Sequence, residues 1–123
     1  MTTTTFASHA HEKSATAMVD ATRHASLGAL LHDALVQFKT DVALVEVDRK
    51  RETRRLTYLD VKRRAERLAR TLASLGVGAG DRVALAMSNQ SAWPVTALAV
   101  FFCGAVLVPV RPYEITTVRA EVQ

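Results

Sequence analysis

The residues of this 123-residue chain best equipped for chemistry are four histidines, one cysteine, a cluster of glycines and a run of arginines. His9 and His11 form an H-x-H pair of the kind that can catch a metal ion. No Cys or carboxylate partner lies at useful spacing, so the pair reads as part of a solvated polar tail. Cys103 stands alone in the apolar run AVFFCGAV, where a thiol behaves as a small buried hydrophobe. A single cysteine also excludes an internal disulfide framework and fits a reducing compartment, and a cytoplasmic location is the expectation. Gly76, Gly78 and Gly80 invite comparison with a phosphate-binding loop. Such a loop leads out of a strand and into a helix, so that backbone N–H groups meet the phosphate. Here the glycines leave a helical pattern and enter a strand pattern, so they read as turn residues. His24 and His32 read as surface residues. No Ser-His-Asp set, paired-carboxylate site or zinc site emerges, and no residue is assigned a catalytic, cofactor-binding or metal-ligating role.

Charge is unevenly placed. The chain carries a formal net charge of +4, yet the window from Arg49 to Arg70 holds ten Lys or Arg against Glu52, Asp60 and Glu66. A basic face of this kind attracts nucleic acid or anionic lipid. Tyr58 is the one aromatic in the window, which gives stacking on single strands little support. No DNA-reading motif accompanies it. The competing reading is a solvated hairpin and helix surface. Composition is otherwise that of a soluble globular domain, with 49% apolar and 23% charged residues.

The periodicities give an alternating order of elements. Residues 1–25 are sparse and unphased in apolar positions and read as a disordered tail. They lack the basic start and apolar core of a secretory signal, and Glu12 and Asp20 argue against a transit peptide. Ser26 caps a helix running to Phe38, with Leu27, Leu30, Leu31, Ala34, Leu35 and Phe38 on one face. Val42 to Val47 reads as a strand. The segment DRKRETRR reads as a charged turn longer than the minimum, and RRLTY as the returning strand of a hairpin. Thr57 and Asp60 open a second helix that runs to Leu75 and stops at Gly76.

Arg82 to Met87 reads as a strand buried on both faces. Asn89 or Ser91 caps a helix from Ala92 to Cys103, with Pro94 tolerated in its first turn. Gly104 ends that helix, and Ala105 to Val110 forms another buried strand with Pro109 near its end or at an edge. Thr116 or Thr117 would cap a further helix. Ala92 to Val110 is nineteen residues without a charge, long enough to raise a membrane span. Gly104, the β-branched run and Pro109 instead divide it into a helix and a strand, each too short to cross. The alternation gives an α/β fold: a partial three-layer arrangement of mostly parallel strands with flanking helices, preceded by a β-hairpin.

The series Leu56-Thr57-Tyr58, Leu75-Gly76-Val77, Gly80-Asp81-Arg82-Val83-Ala84-Leu85, Asn89, Gly104-Ala105-Val106, Val108-Pro109 and Pro112 resembles the N-terminal part of the adenylate-forming ligases. That superfamily includes acyl-CoA synthetases, luciferases and peptide-synthetase adenylation domains. The likeness runs from Leu27 to Tyr113, and the charged hairpin is most similar to the long-chain acyl-CoA synthetase branch. The resemblance implies that residues 26–123 are the N-terminal portion of a ligase large domain. It implies a whole enzyme that activates a carboxylic or fatty acid with ATP and Mg²⁺ to an acyl-adenylate, then passes the acyl group to coenzyme A.

The family's phosphate loop, ribose-binding Asp and catalytic Lys lie downstream of the matched region, so none is carried onto these residues. The resemblance therefore implies a scaffold inactive alone, binding no cofactor itself, whose partners are the remainder of the ligase and further copies of the chain. The alternative is a stand-alone module that binds nucleic acid or anionic lipid through Arg49–Arg70.

Overall fold

The computed structural model describes residues 19–112. A short 3-10 turn, Ala21–Arg23, precedes helix α1, Leu27–Gln37. A hairpin of β1 (Val42–Asp48) and β2 (Arg51–Thr57) follows, then helix α2 (Tyr58–Ser74). Strand β3 (Arg82–Ala86), helix α3 (Ala92–Phe102) and strand β4 (Val106–Val110) complete the order. His9 and His11, and the helix expected beyond Pro112, lie outside the described residues.

Local chemistry starts and stops the helices where the sequence places the signals. The Ser26 side chain accepts from the Ala29 N–H at 3.1 Å and caps α1. Thr57 and Asp60 make a reciprocal capping box: the Asp60 N–H donates to Thr57 Oγ1 at 3.2 Å, and the Thr57 N–H donates to Asp60 Oδ2 at 2.9 Å. Helix α2 ends in a Schellman motif, with the Val77 N–H on the Leu72 carbonyl and the Gly76 N–H on the Ala73 carbonyl, both at 3.0 Å. Gly76 takes φ +94°, a left-handed position that L side chains rarely adopt. Replacing Thr57 by Ala should cost about 1 kcal/mol of stability, since it orphans the first turn of the longest helix. Urea unfolding of the variant tests this; an unchanged midpoint would mean the box contributes nothing.

The hairpin turn is tighter than its charge suggests. Strand β1 pairs antiparallel with β2 from Val42↔Thr57 to Asp48↔Arg51, leaving Arg49 and Lys50 alone at the tip. Both have positive φ, 46° and 70°. Positive φ at both central residues is the primed geometry whose twist matches paired strands. The expected longer loop is therefore corrected to two residues. RETRR becomes strand because its register sets Arg54 opposite Glu46 and buries Leu56.

Leu56 joins Leu35, Val61, Ala65 and Val95 in the core, with Ala43, Leu44, Tyr58, Leu98 and Phe102 packed around them. Helix α3 is apolar on every side and correspondingly central, with Val95, Ala97, Ala99 and Val100 buried. It links β3 to β4, which pair in parallel from Arg82↔Val106 to Ala86↔Val110. The α/β arrangement is thus a parallel pair with helix α3 against it, beside an antiparallel hairpin.

Pro109 occupies the penultimate position of β4. The expectation that both strands are covered on both faces is corrected. Leu85 is buried, but Ala84, Ala86, Val106 and Val108 on the opposite side are exposed. One helix covers one face of a two-stranded sheet, and no described element covers the other. No helix of the described residues is long and apolar enough to cross a membrane.

Candidate functional site

Three places gather polar groups, and each is built by a different pair of elements. The largest is an open cleft of about 680 Å³ where the start of α1 meets α2 and the end of α3. Gly28 makes it possible. A Cβ on Gly28 would stand 2.4 Å from the Phe101 carbonyl oxygen, so only glycine lets the two helix backbones approach this closely. His32, Glu66, Arg70 and Cys103 line the cleft.

The histidines are more engaged than the surface positions the sequence assigns them. His24 Nε2 lies 2.8 Å from Asp33 Oδ2, and its Nδ1 lies 3.0 Å from the Asp20 carbonyl. His32 reaches Asp33 at 3.5 Å and Glu66 at 3.3 Å, and its ring meets Phe102 edge-on at 6.0 Å. Lys62 donates to Glu66 at 2.6 Å. This chain of groups ties the start of the described chain to α1, and α1 to α2. The hydrogen bond to His24 first, then that to His32, holds the Asp33 carboxyl below its usual range. Lys62 does the same for Glu66.

Cys103 is half-buried rather than buried, and its thiol donates to the Ala69 carbonyl at 3.4 Å. Ser26 is occupied as a cap. The cleft therefore holds ion pairs and hydrogen bonds between elements, with no hydroxyl or thiol set against a base. No group of three or more His, Cys, Asp or Glu that could hold a metal ion occurs among the described residues.

The second place is the start of α3. Asn89 is exposed, and Ser91 occupies the cap position without making a side-chain cap bond. The anion at this helix end comes from another strand: Glu46 Oε1 of β1 accepts the Ser91 N–H at 2.6 Å. Hydrogen bonds from Ser91, side chain and backbone, hold the Glu46 pKa below its ordinary value, with Arg54 and Arg64 adding to the effect. A lone acid in the apolar run VALVEV is the sequence signal that could have revealed this role. A charge there needs a partner wherever that face is covered.

A lowered pKa means that the stabilisation by Glu46 is present above the unfolded-state value and is lost as pH falls through the folded-state value. Thermal stability should therefore fall below roughly pH 4.5, where carboxylates begin to take up protons. Glu46→Gln should flatten part of that slope. Melting curves across the acid range test this, and an identical slope in the variant would remove Glu46 from the account.

The third place is the glycine turn between α2 and β3. The Gly78 N–H donates to Asp81 Oδ2 at 2.8 Å, and the Gly80 N–H to the Gly104 carbonyl at 3.1 Å. These donors are consumed within the fold. The α3 start is likewise filled by a carboxylate that would repel a phosphate. Neither the glycine turn nor the start of α3 therefore offers these backbone donors to a phosphate.

Of the basic window, Arg54 pairs with Glu46 at 3.5 Å, Arg55 pairs with Glu52 at 2.7 Å, and Lys62 is held by Glu66. Arg63, Arg64, Arg67 and Arg70 of α2 are exposed, Arg70 at the cleft and Arg64 within the influence of Glu46.

Comparison with known proteins gives this scaffold a family. A family model described as AMP-binding enzyme matches residues 31–121. Triostin synthetase I of Streptomyces triostinicus is 36% identical over 86 residues, which are 70% of this chain and 15% of that protein. The medium/long-chain-fatty-acid–CoA ligase FadD6 of Mycobacterium tuberculosis is 34% identical over 82 residues, 67% of this chain and 13% of that protein. The N-terminal subdomain of Klebsiella oxytoca NpsA, solved in complex with 3-hydroxyanthranilyl-AMSN, superposes with a TM-score of 0.66 at 26% identity. That match covers 79% of this chain and 24% of the other. The chain thus spans a small part of the length of the proteins it resembles. With most of its length inside the matched region and the same α/β arrangement as an adenylation-enzyme N-terminal subdomain, the chain belongs to the AMP-binding enzyme family.

Proposed function

We propose that residues 26–123 are the opening scaffold of a cytoplasmic acid–thiol ligase, of the acyl-CoA synthetase type. The whole enzyme would activate a carboxylic or fatty acid with ATP and Mg²⁺ to an acyl-adenylate and pyrophosphate, then form a thioester with coenzyme A. The family match over residues 31–121 carries this reading. Similarity to a fatty-acid–CoA ligase supports the finer substrate class, alongside relatives of other description. The scaffold's part is structural. It offers the apolar face of Ala84, Ala86, Val106 and Val108, which the remainder of the ligase covers.

A chimera tests the proposal. This chain should replace the matched segment of FadD6 and leave fatty-acid-dependent ATP–pyrophosphate exchange measurable, whereas the 123-residue chain alone should give none. A chimera that folds but is inert, or acid-dependent turnover by the chain alone, would overturn the reading. The isolated chain should also self-associate through its open face. A monodisperse monomer in light scattering would count against an exposed docking layer there.

A further inference from the structure

One ring ties the segment ahead of α1 to that helix. His24 Nδ1 lies 3.0 Å from the Asp20 carbonyl oxygen, and its Nε2 lies 2.8 Å from Asp33 Oδ2. Both oxygens only accept, one as a backbone carbonyl and the other as an ionised carboxylate. A neutral imidazole carries one N–H and can donate to one of them, whereas an imidazolium donates to both. The His24 side chain is 14% exposed, which leaves water little room to replace a lost partner. No residue of the Ala21–Arg23 turn is buried, so apolar packing of that turn does not hold the segment in place.

The charged groups around the ring suit a cation there. On its own segment, Asp20 is within electrostatic reach of the ring, and Arg23 pairs with Asp20 at 3.1 Å. From α1 come Asp33 and, beyond it, His32, whose Nδ1 lies 3.5 Å from Asp33 Oδ1. His32 Nε2 lies 3.3 Å from Glu66 of α2, which Lys62 holds at 2.6 Å. Both nitrogens of this second ring therefore also face carboxylates. With both rings protonated, the row His24, Asp33, His32, Glu66, Lys62 alternates in charge from end to end. Among the described residues the two rings are the ion-pair partners of Asp33.

We propose that Val19–His24 is a proton-operated strap, closed on α1 while His24 is an imidazolium and opened as that proton leaves for the solvent. Losing the proton leaves one ring nitrogen with a lone pair facing an oxygen. The bond to Asp33 suffers most, because it joins a cation to an anion as well as a donor to an acceptor. Closure takes up a proton. It is therefore complete below the pH where a free imidazole titrates, about 6.5, and weakens above it by up to about tenfold per pH unit. At the acid end it is lost again as Asp33 takes up a proton. The hydrogen bond to His24 first, then that to His32, keeps the Asp33 carboxyl below its ordinary range, so closure persists through mild acid. The strap lies apart from the scaffold's open sheet face and does not rest on the ligase reading.

The test places a nitroxide spin label on the strap of the full 123-residue chain, through Ala21→Cys with Cys103→Ser, and follows α1 by NMR. While the strap is closed the label broadens the amide signals from Asp33 to Gln37. Broadening should be full between pH 5 and 6. It should fall as pH rises to 8.5, with the ratio of open to closed strap growing by up to about tenfold per unit. Asp33→Asn is the discriminating variant. A carboxamide can donate to a neutral ring nitrogen as well as accept from a protonated one, so its strap should stay closed across the range. His24→Ala should leave the strap open at every pH. Broadening that ignores pH in the otherwise unaltered chain, or that is stronger at pH 8.5 than at pH 5, would overturn the proposal. So would a pH response unchanged by Asp33→Asn. Circular dichroism monitors folding of every variant. Should Asp33→Asn fail to fold, His24→Ala decides: broadening that survives it would show that the ring is not what holds the strap.

Discussion

Gly28→Ala should destabilise the protein, although alanine is the better helix former. On an open helix surface the exchange would gain up to about 1 kcal/mol from propensity alone. Here the new methyl group meets backbone, not a side chain that can swing away. It would stand 2.4 Å from the Phe101 carbonyl oxygen and 3.1 Å from the Phe101 carbonyl carbon. Real Cβ contacts essentially never fall under 3.0 Å, so α1 must move by at least about 0.6 Å, the difference between 3.0 and 2.4 Å. Leu35 of the same helix is part of the core, so the helix cannot withdraw without loosening Leu35 from its neighbours. Overpacking of this kind costs about 1–3 kcal/mol, enough to exceed the propensity gain. For a domain of this size each kcal/mol is worth roughly 4–8 °C in Tm. The melting temperature should therefore drop by several degrees at least, and Gly28→Val should drop it further. A rise in Tm for Gly28→Ala would show that α1 and α3 are not in backbone contact.

That result would turn on a feature the sequence carries only as an anomaly. A glycine inside a helical pattern lowers the apparent helix propensity, and nothing local says why it is there. The features that read correctly from sequence are those settled within a few residues: the Ser26 cap, the Thr57–Asp60 box, and the stops at Gly76 and Gly104. Their hydrogen bonds close inside one turn of chain, so residue type and spacing define them completely.

The features that read wrongly all depend on what lies opposite. Arg49 and Lys50 occupy a primed turn without the glycine or asparagine that would announce it, because strand pairing on either side holds them there. Glu46 caps a helix 45 residues away in sequence. Cys103 is apolar in its neighbourhood but opens on the cleft that Gly28 creates. The strand at Arg82 to Ala86 has the composition of a two-sided interior, and the described chain covers it on one side.

The candidate sites divide along the same line. The reversed order of helix, glycine turn and strand already argued against a phosphate loop, and the engaged Gly78 and Gly80 donors supply the physical reason. The basic window was legible as charge. The pairing of Arg54 with Glu46 was not, because the hairpin register decides it.

Leu56→Ala should be among the most damaging single changes to this fold. Leu56 is 5% exposed and sits near the end of β2, paired opposite Leu44. It is the hairpin's buried contribution to the cluster that also contains Leu35 of α1, Val61 and Ala65 of α2 and Val95 of α3. The other residues of β2 before it are exposed, so no second apolar anchor on that strand can take its place. Removing its side chain beyond Cβ loses the transfer energy of the missing carbons and leaves a void among four elements. Such exchanges cost about 2–5 kcal/mol, with the upper end reached where the surroundings cannot collapse. Small domains have about 5–15 kcal/mol in total, so the loss is a large share of what holds the chain folded.

The consequence extends beyond the hairpin. Strand β1 supplies Glu46 to the start of α3, so a hairpin that detaches also removes that helix's anion. Leu56→Ala should therefore lower the unfolding midpoint in urea sharply. It should also raise amide exchange in β1 and β2 together with the Ser91 amide, whose partner is Glu46. Loss of protection confined to the hairpin, with the Ser91 amide unchanged, would show that Leu56 anchors only its own strand and that the start of α3 stands without Glu46.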